Sequence, residues 1–120
     1  MRPRVLLVED DFRLRDAICR SLSARGYQVQ VAEDGVAALD ALAQGEFQVM
    51  VTDIFMPRMD GVELMETLQN HGIGVVAMSG DTRLDGQFAK LVTSLGARKL
   101  LVKPFTISEL ESAIQEAVAP

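Results

Sequence analysis

The 120-residue chain is predicted to be an α/β protein. The expected architecture is an open, doubly wound (βα)₅ parallel sheet, stacked as a three-layer sandwich with strand order 2-1-3-4-5. Three observations predict it. Short apolar runs alternate five times with stretches of helical periodicity. Four of the five runs are continuously apolar, as parallel strands covered on both faces are. Five strands are too few to close the eight-stranded barrel, so the sheet stays open with right-handed crossovers.

The first strand is Val5–Val8, ended by Glu9-Asp10-Asp11. Asp11 reads as the N-cap of the first helix, whose face carries Leu14, Ile18 and Leu22, with Cys19 beside it. The second strand, Tyr27–Val31, alternates Tyr-Gln-Val-Gln-Val, which suits an edge strand with one wetter face. Ala32-Glu33-Asp34-Gly35 opens the second helix, and Val49–Val51 is the third strand, with Asp53 at its end. Asp60-Gly61-Val62-Glu63 reads as a capping box for the third helix, with Met59 and Leu64 as its hydrophobic staple. His71 closes that unit, where it meets the negative end of the helix dipole. Val75–Met78 is the fourth strand, and Phe88, Leu91, Val92 and Leu95 form one face of the fourth helix. Leu100–Val102 is the fifth strand. Thr106-Ile107-Ser108-Glu109 then caps the last helix, with Phe105 and Leu110 as the staple, and the helix runs to about Val118. Gly26, Gly45, Gly72 and Gly96 stand where the first four helices should stop, in the left-handed conformation glycine permits.

Composition bounds the function. Twelve Lys and Arg against 17 Asp and Glu leave a net charge of −5 and a pI near 4.8. That balance, with 5% aromatic residues, argues against direct nucleic-acid binding, which needs a positive face and stacking platforms. The single cysteine, Cys19, excludes an internal disulfide and a multi-cysteine metal site. No apolar run is long enough for membrane insertion, so a cytoplasmic protein is expected. Length suits a single domain over 1–120.

The chemistry gathers at the strand ends. Glu9 and Asp10 follow the first strand, Asp53 ends the third, Ser79 follows the fourth, and Lys103-Pro104 follows the fifth. In an open parallel sheet the ligand crevice lies beyond the carboxyl ends of the strands. Three crowded carboxylates repel unless a cation sits among them, and all-oxygen ligation suits Mg²⁺, with Mn²⁺ the alternative. A lysine and a hydroxyl could each take a phosphoryl oxygen. Together these parts fit a site for a phosphoryl group attached to a carboxylate.

At this point the motifs are recognisable. Val8-Glu9-Asp10-Asp11, Asp53-Ile54-Phe55-Met56-Pro57-Arg58-Met59-Asp60-Gly61, Met78-Ser79-Gly80 and Val102-Lys103-Pro104-Phe105 resemble the receiver domain of two-component response regulators, over roughly Arg4 to Val118. The resemblance implies a flavodoxin-like fold. Asp53 would accept a phosphoryl group from a partner histidine kinase or histidine phosphotransfer protein. Asp10, Asp53 and the backbone carbonyl of Phe55 would hold Mg²⁺ directly, and Glu9 would hold it through water. Ser79 and Lys103 would bind the phosphoryl oxygens, and Lys103–Pro104 would be a cis peptide bond. The phosphorylated form would switch protein–protein interactions with an unknown output protein, through the surface around the last two helices, and a homodimer on phosphorylation is left open.

The chain departs from the family in one place. Receivers usually carry Tyr or Phe three residues before the lysine, and here that residue is Leu100. The signal is therefore expected to travel through the loop after Ser79, which holds Gly80, Asp81, Asp85 and Gly86. Phe55 and Asp81 flank the expected phosphoryl group, and the bulk of Phe55 is expected to slow attack by water. With no second domain in 120 residues, the pattern resembles stand-alone regulators that act on other proteins. Two rival readings fit the residues less well. A Mg²⁺-dependent phosphatase with an aspartyl-phosphate intermediate would carry a second acid where Phe55 stands, and a cap over its substrate. A fold kept only for docking would not need Asp10, Asp53 and Lys103 together. The expectation is therefore a protein that catalyses its own phosphorylation and is not a turnover enzyme.

Overall fold

In a computed structural model, which describes residues 2–54, 59, 61–68, 72–80 and 86–118, the chain forms five strands and five helices in strict alternation. They are β1 (Arg4–Val8), α1 (Phe12–Ala24), β2 (Gln28–Ala32), α2 (Gly35–Gln44), β3 (Val49–Asp53), α3 (Gly61–Thr67), β4 (Gly74–Ser79), α4 (Gly86–Ser94), β5 (Ala97–Val102) and α5 (Ile107–Val118). Every pairing is parallel and the sheet order is β2-β1-β3-β4-β5, as predicted.

The strands alternate faces, and the alternation divides the core in two. Leu6, Val8, Met50, Val75 and Ala77 pack with Ala38 and Ala41 of α2, Leu64 and Met65 of α3 and Val92 of α4. Val5, Leu7, Val49, Val51, Val76 and Met78 pack with Ile18 and Leu22 of α1 and with Leu110, Ala113, Ile114 and Ala117 of α5. The central strands β1, β3 and β4 are thus covered on both sides, which is why their sequences are almost purely apolar.

The edges differ from that pattern. β2 is one edge, and its Gln28 and Gln30 are exposed, as its alternation foretold, but Val31, on the face of Val29, is exposed too. β5 is the other edge and begins three residues before the apolar run that announced it. Arg98 and Lys99 belong to the strand, and Val102, expected to be covered, is 50% exposed. An edge strand tolerates charge on its open side, so polarity hid its start. On α4, Val92 is buried and Leu95 packs against the core, but Leu91 is 45% exposed. Leu91 lies about 100° around the helix from Val92, beyond the buried stripe. The side chain of Phe88 falls outside the described residues.

Caps account for the helix ends. The Asp11 carboxylate accepts from the backbone N–H of Arg13 (3.0 Å) and Leu14 (3.4 Å), and Asp34 accepts from Ala37 (2.8 Å). Thr106 and Glu109 form the reciprocal box, with backbone-to-side-chain bonds of 3.2 and 3.1 Å. Gly26, Gly72 and Gly96 have φ of +93°, +82° and +112°. Gly45 does not: its φ is −154°, because the chain leaves α2 extended towards β3. Asp60, read as a cap, and His71 lie outside the described residues.

Candidate functional site

The parallel register aligns the strand ends. Val8 is opposite Thr52, Asp53 is opposite Met78, and Ser79 is opposite Val102. The next residue along each of β1 and β5 is Glu9 and Lys103, so one rim of the sheet carries Glu9, Asp10, Asp53, Ser79 and Lys103. Glu9 and Ser79 are fully buried, Asp53 is 7% exposed, and Asp10 faces solvent.

Lysine length matters here. β5 lies two strands from β3, about 10 Å at ordinary strand spacing, so a shorter side chain would not reach back over β4. The Lys103 ammonium donates to Asp53 Oδ2 at 2.9 Å and to Glu9 Oε1 at 2.6 Å. Its backbone N–H donates to the carbonyl of Ser79 at 2.7 Å, and Lys103–Pro104 is cis, as expected.

Glu9 is held at every polar group. Its N–H donates to the Ala32 carbonyl (3.0 Å), Oε2 accepts from the N–H of Asp11 (3.3 Å), and its carbonyl accepts from the Arg15 guanidinium (2.9 Å). Burial pushes the Glu9 carboxyl up most, and the Asp53 charge adds to this. The Lys103 ammonium opposes both, leaving a pKa of about 7. Burial pulls the Lys103 ammonium down, but its bonds and charge contacts with Glu9 and Asp53 outweigh this and hold it above its ordinary value.

One carboxylate oxygen from each of Glu9, Asp10 and Asp53 lies within 4.8 Å of the other two. A set of three hard oxygen donors, two of them buried, fits a small divalent cation such as Mg²⁺ better than any softer metal. The site residues foreseen from the sequence are thus brought together, except that Phe55, the expected carbonyl ligand, lies outside the described residues, as do Met56, Asp81 and Asp85. Leu100 is half-buried against the α2–α3–α4 side of the core.

Three features were not foreseen. Lys103 pairs with Glu9 as closely as with Asp53, and Arg15 reaches the Glu9 carbonyl. The third is the fit of two glycines around the loop after β3. A Cβ on Gly35 would lie 2.6 Å from the Met59 carbonyl oxygen, and one on Gly61 would lie 2.7 Å from the Ile54 Cα. The Gly35 and Gly61 N–H groups donate to the carbonyls of Met59 (3.2 Å) and Ile54 (2.8 Å), clamping both ends of the loop. The Asp-Gly spelling at both helix starts was visible in the sequence; what it packs against was not.

An open five-stranded parallel sheet whose carboxyl rim gathers three carboxylates and a bridging lysine defines a flavodoxin-like signalling domain. The chain belongs to the response regulator receiver domain family, whose family model matches residues 5–115. It is 38% identical over 112 residues to response regulator MprA of Mycobacterium sp. strain KMS and to that of Mycobacterium tuberculosis, covering 92% of this chain and 48% of theirs. The chain therefore spans about half the length of the curated relatives it matches. The receiver domain of Francisella response regulator 1452 superposes with a TM-score of 0.88 at 28% identity, over 98% of this chain and 97% of that one. A CheY-like receiver domain protein from Methanospirillum hungatei superposes with a TM-score of 0.89 at 25% identity, over 98% and 94%. The chain is a two-component receiver domain, of a kind that generally does not turn over substrate. Among the described residues, no helix is long and apolar enough to cross a membrane.

Proposed function

We propose that Asp53 is the nucleophile that takes a phosphoryl group from the phosphohistidine of a partner kinase or phosphotransfer protein. An Asp53 carboxylate oxygen attacks phosphorus, the N–P bond breaks, and the imidazole leaves. The single observation that carries this reading is the Lys103 ammonium held 2.9 Å from Asp53 Oδ2 beside an acid cluster. Asp10 and Asp53 would hold Mg²⁺ directly with the Phe55 carbonyl, and Glu9 would hold it through water. When bound, that ion supplies neutralisation of the charge on the transferring group. Once Asp53 carries the phosphoryl group as an acyl phosphate, Lys103 exchanges the carboxylate for a phosphoryl oxygen, and Ser79 donates its hydroxyl to another. Both residues belong to strand ends, so the exchange biases the β4 and β5 ends between two arrangements.

On this reading residues 1–120 are one cytoplasmic receiver domain that acts on an output protein through the α4–β5–α5 side, without touching nucleic acid itself. Incubation with acetyl phosphate and Mg²⁺, read by intact mass, tests it. Wild type should gain the mass of one phosphoryl group, and Asp53→Ala should gain none. A wild type that stays unmodified, or an Asp53→Ala that is modified equally, refutes the assignment.

A further inference from the structure

From the 2.9 Å bond between the Arg15 guanidinium and the Glu9 carbonyl, we infer that Arg15 is a positioning residue for the acid pair Glu9–Asp10. The inference rests on the proposed Mg²⁺ reading of that pair and adds a residue to it.

The Glu9 carbonyl is one end of the peptide plane from which Asp10 starts. β1 ends at Val8, so this carbonyl lies past the last residue of the strand ladder. Arg15 stands one turn into α1, where its own N–H donates to the Asp11 carbonyl (2.9 Å), and its side chain turns back to the strand end. One side chain thereby ties the helix to the peptide between the two acids. Glu9 is fixed at its N–H and at both carboxylate oxygens by other groups. Asp10 is exposed, and this bond fixes the carbonyl side of the peptide that carries it. Partners that orient ligands in this way change metal affinity by about 10- to 100-fold when removed.

Two effects of Arg15 oppose each other, and this makes the assignment testable. As a charge, a guanidinium near a dication site weakens cation binding, so removing it should tighten binding. As a positioning group, its removal should weaken binding. The partly solvated setting damps the first effect to about two-fold or less, so positioning should win.

The experiment is a Mg²⁺ titration by calorimetry on wild type, Arg15→Met, Arg15→Lys and Arg13→Met, with melting temperatures taken in chelator. Arg13 has an exposed side chain that rests on the Phe12 ring and makes no bond to the site among the described residues, so its variant controls for loss of charge on the same helix turn. Arg15→Met should bind Mg²⁺ about ten-fold more weakly, while Arg15→Lys, which keeps a donor, stays within about three-fold of wild type. Arg13→Met should bind as wild type does or slightly more tightly. With acetyl phosphate, the Arg15→Met defect should appear as a higher half-saturating Mg²⁺ with an unchanged rate at saturation, a split that general destabilisation would not produce. If Arg15→Met melts far below wild type, Arg15→Gln, which drops the charge and shortens the reach, carries the same expectation. Equal or tighter Mg²⁺ binding by a folded Arg15→Met or Arg15→Gln overturns the inference. Failure of wild type to bind Mg²⁺ at all would instead overturn the Mg²⁺ reading beneath it.

Discussion

Replacing Lys103 with methionine removes the ammonium from Glu9 and Asp53 and keeps the aliphatic stem that lies against Gly80. The cost can be worked from the Glu9 carboxyl, which is fully buried and titrates near 7 instead of its ordinary 4.5. A raised folded value means that the proton-linked stability is complete below about pH 4.5 and is lost as pH rises through about 7. Near pH 8 wild type already bears about 3 kcal/mol from this rise. Without Lys103 the carboxyl escapes by staying protonated, which near pH 8 costs about 1–2 kcal/mol more. The lost charge-assisted hydrogen bonds add about 1.5 kcal/mol, at the low end of their range because Lys103 is 21% exposed. The total is about 3 kcal/mol near pH 8. Near pH 5.5 Glu9 is protonated in both proteins, and only the hydrogen-bond part, about 1.5 kcal/mol, remains. Lys103's own raised pKa does not intervene, since the stability it contributes is present below its ordinary 10.5 and is lost only as pH rises through its higher folded value. Urea unfolding in chelator at the two pH values measures both numbers. Thermal melts should shift by about 12 °C and about 6 °C, at roughly 4 °C per kcal/mol for a chain this long. An equal loss at both pH values, or a larger one in acid, would refute the claim that Lys103 is the counter-charge of a buried Glu9.

Other substitutions probe separate parts of the fold. Gly61→Ala would push a methyl against the Ile54 backbone and should cost about 1–3 kcal/mol in urea, with weaker Mg²⁺ binding because Ile54 adjoins Asp53. Thr106→Ala removes one half of the α5 capping box and should cost about 1 kcal/mol in the same assay, leaving acetyl-phosphate reactivity intact. The Tyr27 hydroxyl is buried and has no hydrogen-bond partner among the described residues, so Tyr27→Phe should melt at or slightly above the wild-type temperature. A clear loss there would mean the hydroxyl has a bound partner such as water.

The sequence alone determined the class of fold, because strand and helix periodicities are local. The apolar runs of β1, β3 and β4 announce strands covered on both faces, and the edge character of β2 shows in its glutamines. The capping box of α5 and three of the four glycines were equally legible, since each depends on neighbours within a turn. The acids and the lysine were legible as a set, because a parallel sheet sends every strand end to one rim. Where β5 begins was not legible, because an edge strand does not need to be apolar. Nor was Gly45, whose conformation follows from the direction in which the chain leaves α2. Only the tertiary structure decided that Lys103 bridges Glu9 and Asp53, that Arg15 holds the Glu9 carbonyl, and that Gly35 and Gly61 clamp the loop between them. The Lys103 bridge and the Gly35–Met59 contact join residues from different strand–helix units, and the Arg15 bond depends on how α1 folds back on the end of its own strand. A side chain's partner across a sheet is set by register and reach, and neither is written in the spacing of its neighbours along the chain.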